Sequence, residues 1–172
     1  LWSMIYNPNY GLLNAILSKL GILQTKIAWL GNMDTALICV FIAMIWKYVG
    51  YYMLLLYSSI KRIPADVFEA AEIDGATRLQ VATKVIIPLS LPTIKTTVVM
   101  IVIGALKAFD TIYVLTNGGP DHATEVTSTL MYTTIFKKNL YGYGSSMAIF
   151  IVVECLIFTI LLNKWKPTQY TY

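Results

Sequence analysis

Three apolar runs constrain this chain more than anything else in it. Residues 35–57, 93–115 and 144–163 carry few charges, and each is long enough to cross a bilayer. A helix of about 23 residues rises about 34 Å, against a hydrocarbon core of about 30 Å. The composition agrees: 57% of residues are hydrophobic and 13% are charged, far more apolar than a soluble domain. We therefore predict an all-α integral membrane protein with about three transmembrane helices. The first run holds Lys47, the second Lys107 and Asp110, and the third Glu154. Ionisable groups at membrane depth are costly, and they face a bundle interior, a wet cavity or each other. Lys107 and Asp110 stand at i, i+3, on one face if the second run is a single helix. Lys47 and Glu154 lie near mid-span and could pair by depth.

The first two runs are separated by a polar island, residues 63–92, reading I-P-A-D-V-F-E-A-A-E-I-D-G-A-T-R-L-Q-V-A-T-K-V-I-I-P-L-S-L-P. Pro64 suits the first position of a helix, where its missing N–H would be unpaired anyway. Asp66 and Glu69 bring negative charge to the positive end of the helix dipole. The run A-D-V-F-E-A-A-E-I is rich in helix formers, and Asp74-Gly75 signals a turn. A second helical run, 76–86, is expected to end before Pro88. Two short helices joined at a glycine are therefore predicted at the membrane surface.

A second polar segment covers 116–143. Asn117-Gly118-Gly119-Pro120 breaks a helix, Asp121, His122 and Glu125 are polar, and 126–136 can form a helix. Ahead of the first run, Asn7-Pro8-Asn9-Tyr10-Gly11 reads as a turn. It is followed by Leu12, Leu13, Ile16, Leu17 and Leu20 at helical spacing, with Asn14, Ser18 and Lys19 set against them. That helix is too short to span. It reads equally as an interfacial helix lying in the membrane surface and as a helix packed on its own protein. The sequence opens on Leu1, not methionine, and 1–6 reads as the end of an apolar segment without the basic start of a signal peptide, so an N-terminal part is expected upstream.

Several chemistries find no support. The net charge is +4, but the bases are scattered and form no stripe with stacking aromatics, so nucleic acid is not a predicted partner. Cys39 and Cys155 both lie in apolar runs and read as small core residues. His122, the only histidine, reads as a solvated loop side chain with no metal-ligand spacing around it. No catalytic or metal site is predicted. No glycine is followed by lysine, so no phosphate-cradling loop of the G-x-x-x-x-G-K-[ST] kind is present.

Orientation follows from lysine and arginine near the run ends. Lys61, Arg62, Arg78, Lys84, Lys164 and Lys166 fall on one side, and Lys19, Lys26, Lys137 and Lys138 on the other. This bias puts the island and the C-terminus in the cytoplasm.

On these residues the island resembles the cytoplasmic signature loop of binding-protein-dependent ABC importer permeases, which runs E-A-A, three residues, G, nine residues, I-x-L-P. Here Glu69-Ala70-Ala71 is followed by Gly75, and then by Val85, Ile87 and Pro88. Valine for isoleucine and isoleucine for leucine are the departures. Four further patches are similar to the carbohydrate-importer subgroup, which includes maltose and glycerol-phosphate permeases. They are Ile63-Pro64, Asp74-Gly75-Ala76, the stretch from Phe109-Asp110 through Ile112-Tyr113-Val114-Leu115-Thr116 to Gly118-Gly119-Pro120, and Gly142-Tyr143 before Met147-Ala148.

The resemblance implies that 1–172 is the C-terminal part of a single permease domain. Its spans would be 35–57, 93–115 and 144–163, with a cytoplasmic coupling helix pair in 61–92 and an extracytoplasmic loop in 116–143. The implied function is transport of a solute, of carbohydrate type, across the cell membrane. The implied partners are cytoplasmic ATPase subunits that bind the ATP, a second permease subunit, an extracytoplasmic solute-binding protein and membrane lipid. The chain would hold no cofactor and would not be an enzyme. Glu69, Ala70, Ala71, Asp74, Gly75, Ile87 and Pro88 would form the ATPase-coupling loop. Lys47, Lys107, Asp110 and Glu154 would line the translocation path or pair with each other. A stand-alone channel or secondary carrier, or a non-transporting membrane remnant, are the competing readings, and both leave the signature loop unexplained.

Overall fold

The computed structural model describes residues 1–164, and every described element is helical. In order these are α1 (Trp2–Ile5), α2 (Leu12–Lys19), α3 (Met33–Ile60), α4 (Ala65–Ile73), α5 (Arg78–Val81), a π-helical turn (Ala82–Ile86), α6 (Ile87–Leu106), α7 (Asp110–Leu115), α8 (Thr127–Phe136) and α9 (Tyr141–Lys164). Trp165 and Lys166 lie outside the described residues. By length and composition, three of the described helices can cross a membrane: Met33–Ile60, the continuous Arg78–Leu106 and Tyr141–Lys164. Only 17%, 11% and 11% of their most apolar stretches is buried within the chain. Most of that apolar surface therefore needs lipid or another helix against it.

The second helix departs from expectation at both ends. It does not stop before Pro88 but runs on from the island through Pro88 and Pro92. Pro88 cannot donate to the carbonyl four residues back, and its ring crowds that carbonyl. The turn just ahead of it widens to π geometry, a known way to absorb such a conflict. Thr96 and Thr97 donate their hydroxyls to the Pro92 and Thr93 carbonyls, at 3.0 and 2.8 Å. At the other end the helix stops at Leu106, and a separate short helix starts at Asp110. The expected single run over 93–115 is therefore broken.

The chain divides into two compact units. The first comprises Leu1–Lys47 with Leu106–Val153. Its part of α3 buries Ala36, Cys39, Val40 and Ala43, the i, i+3, i+4, i+7 stripe of a packed helix face. The Tyr6 hydroxyl donates to the Cys39 carbonyl at 3.1 Å. Burial first, and Cys39 second, push that phenol up to about 12. Trp2 stacks on Tyr6 and meets Trp46 edge-on. Near the start of α9, Gly144 is buried against Ile135 of α8 so closely that a β-carbon there would clash with the isoleucine side chain.

Among the described residues, the second unit comprises Tyr48–Ala105 and 154–164. It buries Ser59, Ile63, Ser90 and Thr97. Tyr52 meets Tyr51 edge-on at 5.3 Å. Lys95 on α6 donates its ammonium to the Asn163 carbonyl of α9 at 3.2 Å.

Candidate functional site

The island sits in the second unit. Pro64 takes the position just ahead of α4, one residue earlier than expected, and Asp66 lies in the first turn. α4 ends in a Schellman motif: Ala76 N–H donates to the Ala71 carbonyl and Gly75 N–H to the Glu72 carbonyl, both at 3.0 Å. That closure requires a left-handed residue, and Gly75 has φ +73°. Nothing lies within 4 Å of where its β-carbon would be, so backbone conformation, not crowding, selects glycine here. Thr77 then starts α5 with a capping box. Its N–H donates to the Gln80 side-chain oxygen at 2.8 Å, and its hydroxyl accepts from the Gln80 N–H at 3.4 Å. The pattern T-x-x-Q that marks this start is legible in the sequence.

On α4, Val67, Phe68 and Ala71 are half-buried, while Asp66, Glu69, Ala70 and Ile73 are exposed. Helical spacing puts those four on one outward face. Ile73 is 86% exposed and Leu79, beyond the turn, is 73% exposed. The Ala70-Ala71 pair is thus split, with Ala70 outward and Ala71 turned partly in. Asp74, Gly75 and Ile87 are exposed and Pro88 is half-buried. The result is a small, pre-ordered surface with two carboxylates, an alanine and two projecting apolar side chains.

Lys107 and Asp110 are not arranged as a single helix would place them. Lys107 falls in the helix break, so it shares no helix face with Asp110, which opens α7. Asp110 instead lies 3.9 Å from Lys47, and their side chains are 80% and 46% exposed. Glu154, on α9, is half-buried. The break is held by a tertiary contact: Ser128 on α8 donates its hydroxyl to the Ala108 carbonyl, which the interrupted helix leaves without its usual partner.

Beside the break opens a cleft of about 320 Å³, lined by Lys107, Phe109, Ser128, Met131, Tyr132 and Ile151, with Ala148 completing it. Phe109 stacks on Tyr113 at 5.0 Å, and Tyr132 packs against both. The Lys137 ammonium sits 5.7 Å from the Tyr113 ring centre. The Tyr132 phenol is raised above its usual range, first by its hydrogen bond to Tyr113. An apolar cleft with a few polar groups, at a broken helix, is the usual form of a small-molecule site in a membrane protein.

The loop after α7 is tightly built. Thr116 and Thr124 hydroxyls meet at 2.7 Å, and Thr124 donates to the Gly119 carbonyl. His122 is exposed, as expected, but it is not solitary: its Nδ1 lies 2.9 Å from a Glu125 carboxylate oxygen. Among the described residues no group of His, Cys, Asp and Glu could hold a metal ion.

These features define a multi-helix membrane protein with a rigid polar loop and a broken helix beside an aromatic cleft. The chain belongs to the family of binding-protein-dependent transport system inner membrane components, which matches residues 4–166. It is 38% identical over 168 residues to the probable ABC transporter permease protein YurN of Bacillus subtilis, a match covering 98% of this chain and 58% of that protein. It is 39% identical over 163 residues to the trehalose/maltose transport system permease protein MalF of Thermococcus litoralis, covering 95% and 54%. A solved bacterial alginate ABC transporter, in complex with an alginate pentasaccharide-bound periplasmic protein, matches the fold with a TM-score of 0.85 at 26% identity, covering 94% of this chain and 56% of that one. The chain spans about half the length of the relatives it matches.

Proposed function

We propose that this chain forms part of the translocation path of an ATP-driven, binding-protein-dependent importer for carbohydrate, and that α4 with the Gly75 turn is its docking element for a separate ATPase. The observation that carries the docking role is the outward face of α4. An isoleucine left 86% exposed beside Glu69 and Ala70, on a helix closed by the Schellman turn at Gly75, is a surface prepared for another protein. Ala70 lets that protein approach closely, Glu69 offers a carboxylate to a cationic or N–H donor, and Ile73 supplies apolar contact. The π turn and Pro88 join this element to a helix long enough to span. A push on α4 is thereby passed to that helix through stiff backbone.

The carbohydrate class rests on the relatives, whose names specify trehalose/maltose and alginate, and on the aromatic cleft, whose ring faces suit sugar C–H surfaces. In this reading the solute passes the break at Lys107, with Lys47 and Asp110 along the same path. An extracytoplasmic binding protein delivers it, and a second permease subunit completes the pore. The island and the C-terminus face the cytoplasm, as the lysine and arginine bias indicates.

The test uses the complete permease assembled with its ATPase and binding protein. Glu69→Lys and Ile73→Asp are expected to abolish ATP-dependent uptake and to release the ATPase on purification, with membrane insertion unchanged. Undiminished uptake in the double variant, or uptake by purified permease without any ATPase, would overturn the docking role.

A further inference from the structure

The coupling function leaves α2 unused, and its packing inverts the usual arrangement. Asn14, polar, is its buried residue, 7% exposed, while Leu12, Ile16 and Leu20 are 58%, 46% and 66% exposed. Asn14 is buried because its amide is fully employed. Its Nδ2 donates to the Pro8 and Ile27 carbonyls, and its Oδ1 accepts from the Ile27 N–H and the Trp29 indole N–H, at 2.8 to 3.5 Å. The Trp29 carbonyl in turn accepts from the Thr35 hydroxyl at 2.7 Å, in the first turn of α3. A continuous polar strap therefore ties α2 to the N-terminal end of a helix long enough to span. In a spanning helix such an end stands near the edge of the hydrocarbon layer.

We infer that α2 is a membrane-surface anchor, with the stripe of Leu12, Ile16 and Leu20 seated in the boundary between headgroups and acyl chains. Spacing of four residues aligns the three on one side of the helix. Tyr10 and Ile22, at either end, are 72% and 67% exposed, which extends the stripe. Lys19 borders it and can lie along the apolar side while its ammonium reaches a lipid phosphate. The Lys26 ammonium, held at 3.2 Å from the Asn9 carbonyl, adds a second positive charge nearby. The exposed apolar surface also continues onto α3, where Met33, Leu37, Ile38 and Phe41 are exposed. A lipid surface accounts for all of these together: fixed depth, an apolar stripe level with the start of the span, and basic groups at its edge.

Single cysteines carrying a nitroxide, placed at Leu12, Ile16, Leu20 and Ser18, test this. The host is the complete permease with its partner subunits, in vesicles of phosphatidylethanolamine and phosphatidylglycerol, with Cys39 and Cys155 replaced by alanine. Labels at 12, 16 and 20 are expected to collide with oxygen several-fold more than with a water-soluble nickel chelate, and the label at 18 to show the reverse. Collision of the first three with the nickel chelate as readily as 18 would place the stripe in water. Protection from both reagents would place it under another protein. Either result overturns the anchor and leaves the ATPase-docking test untouched. All four positions are exposed, and agreement among the three stripe positions guards against one label disturbing the fold.

Discussion

Two glycines hold the two units of this molecule in shape, for opposite reasons. Gly75 turns the polar island, and empty space surrounds the place its β-carbon would take; φ +73° alone demands glycine. Gly144 has no special φ, and the Ile135 side chain fills the place of its β-carbon. The island is therefore a structure of local rules, made of a Schellman closure and a capping box within a few residues. The region of the break and cleft is a structure of long-range contacts. Ser128 secures a carbonyl twenty residues away, and three rings from α7, α8 and the break pack together. Damage should behave differently in the two places.

The largest effect is expected at Gly144. A methyl on this buried glycine collides with the half-buried Ile135 side chain, and overpacking of this kind costs about 1–3 kcal/mol or more. Gly144→Ala should lower the thermal midpoint of the detergent-solubilised permease and reduce its monodisperse yield. Ile135→Ala in the same chain should restore part of the loss, since the two substitutions share one contact. Loss without recovery in the double variant would mean that the close approach is not what selects glycine.

At Gly75 the cost is conformational and the damage should stay local. A residue with a β-carbon in the left-handed region costs about 1–2 kcal/mol, and a β-branched one is worse placed still. Gly75→Val should cut ATP-dependent uptake by about tenfold or more while leaving the thermal midpoint within a few degrees. Gly75→Asn should keep most of the uptake, because asparagine tolerates this conformation. Equal loss in both variants would shift the explanation from φ to contact with a partner.

The same division explains what the sequence made legible. The Gly75 turn and the apolar character of the three runs depend on neighbours in the chain, and they read directly. The 127–136 helix did too. The break at Leu106 did not, because nothing in G-A-L-K-A-F-D forbids a helix. It is stabilised by Ser128, which no local pattern links to Ala108. The pairing of Lys47 with Asp110, in place of the expected helix-face pair of Lys107 and Asp110, follows from that break. The extension of the island helix through Pro88 is not legible locally, because proline ends most helices, whereas here a π turn absorbs it. On α2 the apolar pattern was legible. The burial of Asn14 was not, since its partners at Pro8, Ile27 and Trp29 lie in segments with no regular structure.

The smallest effect is expected at the ion pair. Lys47 and Asp110 approach to 3.9 Å with both side chains substantially exposed, a geometry that contributes about 0–1 kcal/mol where water reaches it. Single reversals, Lys47→Asp or Asp110→Lys, should therefore leave the thermal midpoint nearly unchanged. Their coupling is the informative quantity. If the pair lies in the solute path with little water around it, each single reversal places like charges together in a low-dielectric setting and uptake falls in both. The double reversal then restores it. If the pair is simply solvated, all three variants transport alike. A coupling above about 1 kcal/mol, read from uptake rates across the cycle, would show that this tertiary region is dry and electrostatically tight. Coupling near zero would make the break, like the island, a matter of backbone geometry.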